Sequence, residues 1–123
     1  MKIIIPGKLP GLNELIAAER THRIKGADLK ANAERLVRLC IKKQIKSKPT
    51  LPITLHYRFY EPDKRRDKDN IAGFAHKVVQ DSLVKQGILP NDGWNEIEGF
   101  TDAFAVDRKN PRIEIEIEEE RFE

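Results

Sequence analysis

The sequence has few of the features that classify a protein at sight. Its 123 residues hold a single cysteine, Cys40, which excludes an internal disulfide and any cysteine-built zinc cluster. No apolar run approaches the roughly 18 residues of a membrane span. The opening MKIIIPGKLPG has three isoleucines before Pro6, too few for a signal-peptide core of about 7 or more. These absences lead to the expectation of a soluble, reducing, cytoplasmic setting with no membrane partner. Aromatic residues make up only 7%, and repeats, low-complexity tracts and Ser/Gly linkers are missing. One small domain over residues 1–123 is expected, with a core that further burial in a dimer would help.

What is abundant is charge, at 35% of residues and +3 net. The net value conceals an asymmetry. Residues 1–66 carry 16 Lys+Arg against 6 Asp+Glu, a balance of +10, and residues 67–123 carry 7 against 14, a balance of −7. A basic half suggests a polyanionic partner, and an acidic half with spaced aspartates suggests a divalent cation. Uneven charge on a solvated surface reads the same way, so patterning alone does not decide.

Periodicity predicts the elements. Lys2–Ile5 reads as a short strand ended by Pro6-Gly7. Residues 8–26 are irregular and polar, a loop with one helical turn near Asn13–Ala18. From Ala27 to Gln44, Leu29, Ala33, Leu36, Val37, Cys40 and Gln44 recur at helical spacing, with Lys30, Arg35, Arg38, Lys42 and Lys46 opposite. That basic face reads either as solvated surface or as a track for a DNA backbone. Ile53–Tyr60 alternates as a half-buried strand, and Glu61-Pro62-Asp63 stops it. A second helix is expected over Ile71–Gln86, with Asn70 as its cap and Gly87 at its C-terminus. Leu89–Gly93 makes a turn, Phe100–Val106 a strand, and Arg112–Glu118 alternates Ile inward with Glu outward. The order β-α-β-α-β-β predicts an α/β (α+β) domain, a mixed sheet of about four strands covered by two helices.

The densest polar feature is Lys64-Arg65-Arg66-Asp67-Lys68-Asp69-Asn70, between a strand and a helix. In an extended segment, residues two apart share a side, so Asp67 and Asp69 present two carboxylates to one point. Carboxylates completed by waters are the usual setting of Mg²⁺, and Asp92, in the turn after the helix, offers a third. Arg65 and Arg66 suit phosphate oxygens. Metal beside basic residues suits phosphodiester hydrolysis. A plainer reading stands beside this one: Asp-x-Asp before a helix also serves as N-cap and dipole compensation. His22, His56 and His76 lack ligand spacing and read as surface or packing residues, Cys40 reads as core, and Trp94 reads either as packing on the turn that carries Asp92 or as stacking on a DNA base.

The stretch RRDKDNIAGFAHKVVQDSLVKQGILPNDGWNEI resembles the signature of the RusA-type Holliday junction resolvases of phages and prophages. The matching residues are Arg65, Arg66, Asp67, Asp69, Asn70, Asp81, Leu83, Gly87 and Asp92. Pro10, Asn13 and the closing Ile/Glu strand resemble the family more weakly. The resemblance implies a homodimeric, Mg²⁺-dependent endodeoxyribonuclease, with Mn²⁺ as substitute, that cuts two opposed strands of a four-way DNA junction in recombination and repair. It implies Asp67, Asp69 and Asp92 as metal ligands and catalytic residues. Two departures stand out. Gly73 occupies the position one turn after Asp69 where the family has a lysine; counted back from Asp81 and Asp92, that lysine falls on Lys77. Asn91 stands where an acidic pair is frequent.

The expectation is therefore a nuclease with Asp67, Asp69 and Asp92 around the metal, Lys77 stabilising charge on the scissile group, and Lys64, Arg65 and Arg66 holding phosphates. The rival is a non-catalytic nucleic-acid-binding module on the same scaffold, whose aspartates only cap and pair.

Overall fold

Two alternating stretches build the centre of the sheet. In the computed structural model, which describes residues 1–120, β2 (Ile53–Glu61) buries Ile53, Leu55, Tyr57 and Phe59, and β4 (Arg112–Glu119) buries Ile113, Ile115 and Ile117. They pair antiparallel, with Leu55 opposite Ile117, Tyr57 opposite Ile115 and Phe59 opposite Ile113. A period of two thus places one apolar row on one face. β1 (Lys2–Pro6) joins the outer side of β4 antiparallel, adding Ile3 and Ile5 to that face. β3 (Ile97–Val106) lies parallel to β2, so the mixed sheet runs β1-β4-β2-β3.

Among the described residues three helices, not two, lie beside this sheet. Within the stretch expected to be loop, the chain folds into α1 (Leu12–Thr21), and α2 (Arg23–Gln44) starts four residues earlier than its apolar period predicts. Only His22 breaks the run, in extended conformation, and its Nδ1 accepts the Ile24 N–H at 3.1 Å to cap α2. Of α1, only Leu15 is buried, while Leu12 and Ile16 stay exposed. Its apolar stripe is too narrow for a clear helical period, and the helix is held by its neighbours. Gln44, at a packing position by spacing, caps a strand edge instead. Its amide accepts from Ile4 N–H at 2.7 Å and donates to Ile4 O at 2.8 Å, closing the open side of β1.

The third helix, α3 (Lys68–Lys85), connects β2 to β3 and packs Ile71, Phe74, Ala75, Val78, Val79 and Leu83 into the core. It ends as expected, with Gly87 in the left-handed region at φ 75° and Ile88 N–H bonded back to Leu83 O at 3.0 Å. The β2–α3–β3 unit sets the N-terminus of α3 beyond the carboxyl ends of two parallel strands, where α/β folds place their ligand crevices.

Candidate active site

The loop from β2 into α3 is fixed by one guanidinium. Arg66 donates through Nε and Nη2 to both oxygens of Glu61 (2.8 and 2.9 Å), and through Nη1 to Leu9 O at 3.0 Å. The side chains of Arg66 and Glu61 are only 12% and 8% exposed. Such a two-pronged, nearly dry pair is geometrically specific, and it ties the loop to the last residue of β2. The fork expected to hold phosphate is therefore engaged inside the protein. Upstream, Asp63 Oδ1 accepts the Arg65 N–H at 3.0 Å and closes a tight turn. That leaves Arg65 pointing outward, its side chain 88% exposed.

α3 begins at Lys68, three residues before the apolar period becomes visible, because residues 67–70 offer no apolar side chain. Its cap residue is Asp67, not Asn70. Asp67 has extended backbone (φ −70°, ψ 153°) and its carboxylate makes no capping hydrogen bond. Asp69 sits in the first turn and accepts the Asn70 N–H at 2.9 Å. The two aspartates therefore reach the same cleft from a cap and a helical turn, not from an extended strand. Asn70 faces the other way: its Oδ1 accepts the Asn13 N–H at 2.7 Å and satisfies the start of α1. A Cβ on Gly11 would come within 2.7 Å of that same oxygen, so the crossing of loop and helix needs glycine there.

Asp67 and Asp69 open onto a cleft of about 910 Å³ whose opposite wall is Phe104, Ala105 and Val106 of β3. Lys64 and Lys68 also line it, and the Lys68 ammonium lies 5.8 Å from the centre of the Phe104 ring. The N-terminal helix dipole favours both the acids and any phosphate brought there. Oxygen donors at a helix start, one of them without a capping hydrogen bond, suit a hard divalent cation. Sequence reasoning misses Lys68, Glu61 and Phe104 as members of this site. Two of them carry a signal: Lys68 is the cation between the two aspartates, and Glu61 is the acid that ends the inward row of β2.

Two expected members lie elsewhere. Asp92 is in the turn past the far end of α3, and the helix's 18 residues span about 27 Å. That turn is fastened to the opposite end of the sheet, where Ile53 N–H donates to Glu96 O at 2.8 Å. One subunit therefore does not bring Asp92 to Asp67 and Asp69, and among the described residues no three His, Cys, Asp or Glu side chains are placed to hold a metal. Lys77 stands eight residues beyond Asp69, about 12 Å along the helix. Its Nζ lies 3.4 Å from Asp81 Oδ1, in a groove shared with Leu12 of α1 and Lys30 of α2. It does not reach the aspartates.

His56, His76 and Cys40 serve the fold. His56 bridges Thr101 and Glu118, both at 2.6 Å, and His76 meets Asp102 at 2.7 Å between the rings of Tyr57 and Phe100. Cys40 is buried, and burial pushes its thiol pKa up. Trp94 does not pack on its turn: it is 98% exposed. No helix among the described residues is long and apolar enough to cross a membrane.

Residues 10–118 match a protein family described as endodeoxyribonuclease RusA. The matched span takes in both aspartates, the Arg66–Glu61 clamp and the turn bearing Asp92. No curated protein matches the chain.

Proposed function

The chain belongs to the endodeoxyribonuclease RusA family, and on that premise we propose that it resolves four-way (Holliday) DNA junctions by metal-dependent phosphodiester hydrolysis, as a homodimer. The observation that carries this reading is the Asp67 carboxylate, left without a capping bond beside Asp69, in a cleft lined by Lys64 and Lys68. Mg²⁺ is commonly held by one or two carboxylates plus waters and substrate phosphates, and Asp67 and Asp69 are such a pair. When bound there, Mg²⁺ or Mn²⁺ supplies polarisation of the phosphoryl group and orientation of the attacking water.

The chain's own residues divide the remaining work. Asp67 and Asp69 hold the ion, while Lys64, Arg65 and Lys68 draw the DNA backbone to the cleft. Arg66, clamped to Glu61, keeps the loop in position. Lys77 lies too far along α3 to meet the scissile group and contacts the backbone beside it. Asp92 joins the pair only from a second subunit. Trp94 at 98% exposure and Phe100 at 51%, close to that turn, are apolar surface that a second copy would cover. A two-fold dimer also supplies two sites for two opposed strands.

Among the described residues of one subunit no three carboxylates are placed to hold a metal, which favours a second reading, a non-catalytic nucleic-acid-binding module. One experiment separates the two. A labelled four-way junction is incubated with the protein with and without Mg²⁺, and then with Asp69→Asn, Asp92→Asn and an equal mixture of both variants. We expect cleavage by the wild type only with the ion, and a loss of orders of magnitude in each variant with binding retained. The mixture should nick again, because one mixed dimer site regains every aspartate. Binding without cutting under all divalent-ion conditions would establish the module.

A further inference from the structure

We propose that the groove between α2 and the C-terminal end of α3 is a second phosphate-backbone track, seating a duplex arm about seven base pairs from the cut. The groove is open, about 680 Å³, and lies at the opposite end of α3 from the aspartates. Five cations line it, Lys30, Arg35, Arg38 and Lys42 of α2 with Lys85 of α3, against a single carboxylate, Glu34.

The cations fall into two groups, those with partners, to which Lys30 also belongs through Glu19 at 3.2 Å, and those without. Arg38 and Lys85 are held by the protein: Arg38 Nε donates to Gln86 Oε1 at 2.7 Å, and Lys85 Nζ lies 2.7 Å from Glu34 Oε1. They fix the shape of the groove and neutralise its one acid. Arg35 and Lys42 make no ion pair among the described residues, and Arg35 bonds only Asn32, at 3.1 Å. They are seven residues apart, two helical turns, so they share a face about 10 Å long with Arg38 between them. Neither Arg35 nor Lys42 has an acid at helical spacing, whereas Arg38 has Glu34 four residues before it, at 4.0 Å. Three cations in line along a groove match a regularly charged backbone better than a single anion.

The groove is displaced from the cleft along the axis of α3. From Asp69 to Lys85 is sixteen residues of α3, about 24 Å, with Lys77 halfway. At 3.4 Å per base pair, that is about seven base pairs of duplex laid along the helix layer. The distance from the cut rests on the nuclease reading; the track itself does not.

The test is made on an uncleaved junction without divalent ions, comparing the wild type with Arg35→Gln/Lys42→Gln. Each phosphate that the protein no longer neutralises lowers the slope of log affinity against log salt by about 0.9, so the double variant should lose about 2 and Lys42→Gln about 1. Hydroxyl-radical footprinting should show backbone protection about seven base pairs from the cut in the wild type, absent in the double variant. Arg23→Gln/Lys25→Gln, equally exposed but outside the groove, should leave both readouts near wild type. An unchanged slope or footprint in the double variant would assign the groove to some other, acidic partner and overturn the proposal, as would an equal drop in the control pair. A slope loss confined to the groove variants in a protein that cuts nothing with Mg²⁺ would keep the track and remove the nuclease.

Discussion

The acids of β4 and those at the start of α3 are equally dense in sequence, and the fold treats them in opposite ways. Glu114 is nearly buried and receives Lys2 at 2.6 Å and Arg112 at 2.7 Å. The hydrogen bonds from Lys2 and Arg112 hold its carboxyl below the ordinary 4.5. Asp107 accepts Arg112 at 2.9 Å and the N–H groups of Lys109 and Asn110, and its carboxyl is likewise lowered, chiefly by Arg112. Asp67 has no capping bond, and Asp69 accepts a single backbone N–H, from Asn70. Where the acids are structural, the chain provides their cations. Where they face the cleft, nearby cations are directed elsewhere: Arg66 to Glu61, and Lys68 toward Phe104. Charge left uncompensated at a helix start is charge available to a ligand.

Exchanging the two kinds of acid for amides should cross their effects. Asp67→Asn should lower junction cleavage by at least about 100-fold, as expected of a lost metal ligand, while leaving the melting temperature unchanged or raised. Glu114→Gln should leave cleavage near wild type and lower stability by about 1.5–3 kcal/mol, the scale of a hydrogen bond to a charged group. Cleavage assays paired with thermal unfolding decide it, and equal effects of both variants on both readouts would erase the distinction.

The next effect is on stability, where a structural acid lies next to the cleft. Arg66→Met leaves Glu61 nearly buried without its partner, which should cost about 3 kcal/mol in urea unfolding. Adding Glu61→Met should recover most of that loss, since a buried pair replaced by apolar groups is often neutral. If the double variant is as unstable as the single one, the clamp is not what holds the loop.

The smallest effect is in the pH dependence of stability. The folded pKa values of Glu114 and Asp107 lie below their ordinary values of 4.5 and 3.8. Their contribution is therefore complete above those ordinary values, and it is lost as pH falls through the lowered folded ones. Unfolding free energy should decline from about pH 5 to about pH 3, and Glu114→Gln should decline less steeply over that window. Parallel curves would mean that Glu114 and Asp107 are not neutralised as described.

Much of the scaffold is legible in the sequence because it repeats at short range. Ile53–Tyr60 and Arg112–Glu118 alternate at period two, and both are strands at those places, each one residue longer. The packing face of α3 is readable from Ile71 onward, but not its first turn, where no apolar residue marks the period. α1 escapes the same pattern because only Leu15 of its residues is buried. The motif around Asp67 and Asp69 can be located as a cluster, whereas its geometry cannot. The cap at Asp67 and the turn at Asp69 depend on where the helix starts, and that depends on what Arg66 and Asn70 bind.

By itself, then, the sequence determined the strand faces, the packing face of α3, the core thiol of Cys40 and the concentration of acids and bases between β2 and α3. Period, propensity and charge are properties of neighbouring residues, and they can be read without knowing what lies across the fold. Tertiary structure alone decided which of those charges are free. Arg66 reaches Leu9 and Asn70 reaches Asn13, each across 57 residues of chain, and Asp92 is held a helix length away from the acids it was expected to join. Contacts of that kind depend on how the elements cross, and no local pattern encodes the crossing.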